Sequence, residues 1–136
     1  MKVLITGASS GIGRDMAEIF AQKGYNLVLV SRSEEKLQKV KENILKNNKV
    51  DIEIVSIDLS NEQNCKELHN RVKDVDILVN NAGFGDCGEF TKTDLEKELK
   101  MINTNITRQL NTVRVTSNTF KIFAHAGCFA FTRHST

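Results

Sequence analysis

Thr6-Gly7-Ala8-Ser9-Ser10-Gly11-Ile12-Gly13 follows a short apolar run, Val3-Leu4-Ile5, and leads into a segment whose apolar residues are Ile12, Met16, Ile19 and Phe20. The pattern is strand, tight glycine turn, helix. Glycines at 7, 11 and 13 remove the Cβ atoms that would hold a ligand away from the backbone. The first amides of the helix have no intrahelical acceptor, and the helix dipole favours an anion beside them. A dinucleotide pyrophosphate is the expected occupant of such a turn between a first strand and its helix, on Gly7, Ser9, Ser10, Gly11, Ile12 and Gly13.

Outward from that turn, strands and helices alternate. Lys2 to Thr6 is the first strand, and Gly11 to about Lys23 the first helix, stopped by Gly24 at its C′ position. Asn26 to Ser31 is a continuous apolar run, as in a strand covered on both faces. Ser33 caps a second helix with Glu34 and Glu35 in its first turn and Leu37, Val40 and Ile44 in a row. Val50 to Asp58 is a third strand. Ser60-Asn61-Glu62-Gln63 is a capping box for a helix burying Cys65, Leu68 and Val72, and Val75 to Asn80 is the fourth strand. After a glycine-bearing loop to about Phe90, a second capping box at Thr93-Asp94-Leu95-Glu96 starts a stripe of Leu95, Leu99, Ile102, Ile106, Leu110 and Val113. This alternation predicts an α/β, Rossmann-type parallel sheet with helices on both faces and right-handed crossovers.

In such a sheet the ligand belongs at the carboxyl ends of the strands. Those ends carry Gly7, Ser31-Arg32, Asp58-Leu59 and Asn80-Asn81-Ala82-Gly83, so four strand ends converge on one crevice. Arg32 stands 19 residues after Gly13, near the place of a ribose-binding acid in an NAD site. An arginine there pairs with the 2′-phosphate of NADP, so NADP(H) is expected over NAD(H); the alternative is a surface arginine balanced by Glu34 or Glu35. Asp58 is either an acceptor for an adenine amino group, with Leu59 on the ring, or a competitor of Ser60 for the next helix cap. Asn81, Ala82 and Gly83 combine an amide with small residues, which suits close backbone approach to a ligand.

Composition bounds the rest. The 136 residues, 40% hydrophobic, suffice for one core, and a net charge of +2 argues against nucleic acid or an acidic membrane as partner. All 17 acidic residues fall at or before Glu98, leaving a thinly basic tail that is a weak nucleic-acid footprint. No apolar run approaches membrane-spanning length, and no signal peptide is expected. Cys65, Cys87 and Cys128 suggest neither a disulfide framework nor a metal site, so a reduced, cytoplasmic setting is expected.

Thr6 to Gly13, Asp58-Leu59 and Asn80 to Gly83, in this order and each at a strand end, resemble the fingerprint of the short-chain dehydrogenase/reductase family. The resemblance extends to about residue 107, where Met101 to Ile106 looks like the segment that carries a catalytic asparagine, here Asn105. It implies an oxidoreductase that transfers hydride between a nicotinamide dinucleotide and a small-molecule carbonyl or alcohol. It also implies oligomers built on the helix that begins near Thr93, although the Leu95-to-Val113 stripe equally fits packing on the sheet.

The family's other catalytic groups are a serine and a Tyr-x-x-x-Lys pair. Here the one tyrosine is Tyr25, followed four residues later by Leu29. The expectation is a truncated chain: residues 1–107 form the dinucleotide-binding part, and 108–136 an atypical tail that is no separate domain. The tail reads as an altered end, such as a shifted frame, of a longer reductase. Catalytic incompetence alone is therefore expected, with a non-catalytic dinucleotide-binding or partner-docking module, or a poorly folded fragment without function, as alternatives. Without further strands, Val75 to Asn80 is expected to be a long apolar edge, for which the apolar tail around Phe120 to Phe131 is the one candidate for partial cover, with no pattern that shows it.

Overall fold

The computed structural model describes residues 1–83, 96, 121–125 and 128–132. The elements run β1 (Lys2–Thr6), α1 (Gly11–Gln22), β2 (Asn26–Ser31), α2 (Glu34–Leu45), β3 (Ile52–Ser56), α3 (Glu62–Arg71), β4 (Ile77–Asn80), β5 (Lys121–His125) and β6 (Cys128–Thr132). The sheet order is β3-β2-β1-β4-β6-β5. The first four strands are parallel, with Thr6 opposite Val30, Ile5 opposite Val79, and Ser31 opposite Ser56. The fold is the expected Rossmann-type sheet.

Period-two alternation divides the strands between two cores. Val3, Ile5, Leu27, Leu29, Ile52, Ile77 and Val79 face α1 and α2, where Ala17, Ala21, Leu37, Val40 and Ile44 meet them. Leu4, Val28, Val30, Val55 and Leu78 face α3 through Cys65, Leu68 and Val72. Each fully buried leucine or valine contributes about 1.5–3 kcal/mol. Because α1 and α2 lead outward to β2 and β3 while α3 returns to β4, the chain reverses direction beside β1. That reversal opens a crevice beyond the carboxyl ends of the strands.

The buried face of α1 differs from its apolar pattern. Gly13, Ala17 and Ala21 face the sheet, Met16 and Phe20 are half-buried, and Ile12 and Ile19 are 65% and 51% exposed. Small residues at i, i+4 and i+8 let this helix lie close to β1 and β2, and hydrophobicity ranking misses that requirement. The cap of α3 also shifts by one residue. Asn61, not Ser60, accepts from the Gln63 amide at 2.8 Å, because the Ser60 amide is itself held by Asp58 Oδ1 at 2.8 Å.

The expected open edge at β4 is covered. β6 pairs antiparallel with β4, from Ile77 opposite Thr132 to Asn80 opposite Phe129, and β5 pairs antiparallel with β6. A hairpin satisfies an edge as well as a parallel crossover does, since the demand is for backbone partners. The capping box at Thr93, the stripe from Leu95 to Val113 and the loop from Phe84 to Phe90 lie outside the described residues, apart from the exposed Glu96.

Candidate functional site: the crevice at the strand ends

The first turn is held by two clamps from β4. The buried Thr6 hydroxyl accepts from the Asn81 and Ala82 amides, each at 2.9 Å, and lies 3.3 Å from Asn80 Oδ1 and 3.4 Å from the Val79 carbonyl. The Asn81 side-chain amide reaches back to the Thr6 and Gly7 carbonyls at 3.2 and 3.4 Å. Asn81 therefore spends its donor on the turn itself. On the other side the Ala8 amide donates to the Val30 carbonyl at 3.2 Å. The turn is thus fixed to β2 and β4 before any ligand arrives.

The three glycines do different work. A Cβ on Gly13 would stand 2.4 Å from the Gly7 carbonyl oxygen and 2.6 Å from Asn81 Nδ2, so Gly13 permits α1 to sit on the turn. Gly7 has φ +66°, and its Cβ would meet Ala82 Cα at 3.0 Å. Gly11 has φ +53° and open space where a side chain would be, so its contribution is conformation and clearance.

Beyond the turn, α1 begins without a cap. Ser10 is extended at φ −166°, ψ 169°, its hydroxyl makes no capping hydrogen bond, and no acidic residue stands in the first turn. Ser33 at α2 accepts from the Lys36 amide at 3.4 Å and is followed by Glu34 and Glu35. Asn61 and Glu62 do the same for α3. Of the described helices, α1 alone presents its positive end bare, and it does so into the crevice.

The crevice has a volume of about 460 Å³. Of the residues expected there, it gathers Gly7, Ser9, Ser10, Ile12, Arg32, Asp58, Leu59, Asn81, Ala82 and Gly83 on its walls. Gly11 and Gly13 are not part of its lining: Gly13 is buried against the turn, and Gly11 is exposed. Asn105 lies outside the described residues. Leu59 is 9% exposed and packs into the core beside α3. Asp58 is exposed, and besides its side-chain bond to Ser60 its carbonyl accepts from Asn64 Nδ2 at 2.8 Å.

Arg32 is exposed, and its carbonyl accepts from Ser56 Oγ at 3.2 Å. The balancing pair with Glu34 or Glu35 does not form: Glu35 bonds Lys39 at 2.7 Å, which holds its carboxyl below the ordinary glutamate range. Ser31, expected at its strand end, lines the crevice as well, and sequence reasoning missed Ser33 and Lys36, which also line it. Their signal was position, since both fall within a few residues of Arg32 where β2 turns into α2.

A mobile anion fits these walls, with free amides at one end, cations at the other and small residues between. Among the described residues no group of three His, Cys, Asp or Glu is placed to hold a metal ion, and no helix is long and apolar enough to cross a membrane.

The family model of the short chain dehydrogenases matches residues 1–128, which runs past the motif-based limit near 107 into the hairpin. An uncharacterized oxidoreductase of Staphylococcus saprophyticus is 36% identical over 114 residues, covering 81% of this chain and 49% of that protein. Among solved structures, the bulky-bulky ketone specific alcohol dehydrogenase of Comamonas testosteroni matches at TM-score 0.78 and 32% identity, over 84% of this chain and 47% of that one. A short-chain dehydrogenase of Sphingobium yanoikuyae in complex with NADPH matches at TM-score 0.77 and 32% identity, over 84% and 46%. The chain spans slightly less than half the length of each of these relatives.

Proposed function

The chain belongs to the short-chain dehydrogenase/reductase family, and from that premise we propose that its crevice binds NADP(H) and serves hydride transfer at a small-molecule carbonyl or alcohol. The observation that carries this reading is the bare N-terminus of α1 facing the same crevice as Arg32. The amides of Gly11, Ile12 and Gly13 would hold the pyrophosphate, and Arg32 the 2′-phosphate of the adenosine ribose. Asp58 and Leu59 border the crevice as the proposed adenine end, and Ala82 and Gly83 line its other side as small residues that permit close approach. A dinucleotide held there would supply or accept the hydride. The chain's own part is to bind it, orient it and hold its charge.

Proton transfer to the reacting oxygen needs an acid beside it. The only tyrosine, Tyr25, packs edge-on against Phe20 of α1 with ring centroids 5.6 Å apart and is not part of the crevice lining. The 136 residues therefore act in this proposal as the dinucleotide-holding half, with Asn105 the one catalytic group carried over by resemblance. A cytoplasmic location and a homo-oligomer belong to the same reading.

Fluorescence titration of the chain with NADPH and NADH tests it. Saturable binding that favours NADPH by about tenfold or more is expected, the worth of one or two charge-assisted hydrogen bonds. Arg32→Ala should bring the two affinities together. Equal binding of both by the wild type removes Arg32 from its role, and no binding of either overturns the functional reading.

A further inference from the structure

β3 (Ile52–Ser56) ends the sheet, so one side of its backbone has no strand beside it. Which groups face that side follows from the hydrogen bonds on the other. The Leu27 amide donates to the Asp51 carbonyl at 2.8 Å, and the Ile57 amide to the Ser31 carbonyl at 2.9 Å. Backbone direction alternates along a strand, so Glu53 and Val55 bond toward β2 like Asp51 and Ile57, while Ile52, Ile54 and Ser56 turn their N–H and C=O outward. A row of such groups is a template for another strand.

Arg71 stands over the middle of that row. Side chains alternate as well: Val55 packs into the core beneath α3, and Glu53 is on the same face. Arg71, the last residue of α3, gives Nε to Glu53 Oε1 at 3.3 Å and Nη2 to the Ile54 carbonyl at 3.5 Å. Among the described residues no other side chain hydrogen-bonds the outward groups of Ile52, Ile54 or Ser56. A basic residue in the last turn suits the helix dipole, but the dipole does not call for a planar fork that spans a strand edge. Stability does not call for it either. The Arg71 and Glu53 side chains are 51% and 44% exposed, and an exposed pair contributes little.

The edge is self-complementary. When two copies of β3 are set antiparallel about a dyad at Ile54, Ile54 meets Ile54 and Ile52 meets Ser56, so every outward N–H faces an outward C=O. Glu53 comes opposite Val55, so no like charges meet across the pair. The centre of this pairing is the carbonyl that Arg71 covers. We propose that the outer edge of β3 is a pairing surface for a second copy of this chain, and that Arg71, anchored on Glu53, is the latch that keeps it closed. The proposal is independent of the dinucleotide crevice.

The test follows amide exchange at Ile52, Ile54 and Ser56 by NMR at low and high protein concentration, with sedimentation to report mass. In the wild type these amides should exchange equally fast at both concentrations. Arg71→Ala should form dimers and slow the three amides by about tenfold or more at high concentration, the worth of one or two new backbone hydrogen bonds. Arg71→Ala/Ser56→Pro removes one outward N–H and leaves the ladder to β2 intact, so it should lose both the dimer and the protection.

Arg71 is exposed, so Arg71→Ala should fold with little change in melting temperature. If it does not fold, Glu53→Gln loosens the anchor and is read in the same way: slowing with concentration supports the latch, and its absence overturns it. Three results overturn the proposal in the folded variant or its parent. They are an Arg71→Ala chain that stays monomeric, a dimer whose outward β3 amides still exchange fast, and a wild type already protected there at high concentration.

Discussion

The starts of α1 and α2 are built on the same plan and finished differently. Each follows a buried parallel strand, and each has a serine in extended conformation at the N-cap. Ser33 turns its hydroxyl onto the Lys36 amide, and Glu34 and Glu35 answer the dipole, so α2 is satisfied from within. Ser10 leaves its helix uncapped, no acid follows, and glycines take positions 11 and 13. A helix end costs stability when its amides lack partners, and one left bare beside a cavity is open to water or to an anion. On the proposed function, the difference separates a structural helix start from a binding one, although both are marked by a serine.

The largest expected break in this comparison is Gly13→Ala. The methyl would sit 2.4 Å from the Gly7 carbonyl oxygen, which accepts from Asn81 Nδ2 at 3.4 Å, so the turn must shift. A loss of about 3 kcal/mol is expected, read from the denaturant midpoint. Gly11→Ala, with open space around it but φ +53°, should cost about 1–2 kcal/mol. Equal effects at the two positions would show that close packing does not distinguish them.

Ser10→Asp gives α1 a capping oxygen and a negative charge at once, which α2 has from Ser33 with Glu34 and Glu35 and α3 from Asn61 with Glu62. It should hold or raise the melting temperature, while the new charge repels a pyrophosphate and weakens NADPH by about thirtyfold, roughly 2 kcal/mol. Unchanged affinity would mean that the dinucleotide does not rest on this helix end.

Removing the hydroxyls sharpens the contrast. Ser33→Ala should cost about 1 kcal/mol of stability with its lost cap, and Ser10→Ala less than about 0.5 kcal/mol. Matching losses in thermal denaturation would contradict the difference in capping.

The smallest effect concerns acid. The Lys39 hydrogen bond and charge hold the Glu35 carboxyl below its ordinary value. Its contribution to α2 is present above the unfolded glutamate range and is lost as pH falls through the depressed folded value. Amide exchange should then show the first turn of α2 loosening in acid before that of α1, and Glu35→Gln should remove this pH dependence.

Much of this molecule was legible residue by residue because its signals are short-range. A glycine turn, a cap and an apolar period act over one to four positions, so the strand and helix order, the Ser33 cap and the gathering of Gly7, Arg32, Asp58 and Ala82 at strand ends could be read directly. Misreadings arose where two local signals competed. Asp58 and Ser60 both looked like caps, and the Asx turn that Asp58 makes with the Ser60 amide passed the cap to Asn61.

The amino-acid sequence by itself determined that a glycine turn, an arginine and a set of small residues would meet at the ends of a parallel sheet, because alternation and turn chemistry are written locally. Tertiary structure decided the rest. It chose Gly13, Ala17 and Ala21 as the buried face of α1 over Ile12 and Ile19, since close approach to the sheet favours small side chains. It turned Asn81 back onto a turn 75 residues earlier, brought Lys36 to the wall beside Arg32, and laid an antiparallel hairpin along β4. Those outcomes depend on which distant backbone groups and surfaces meet, and no local period encodes that.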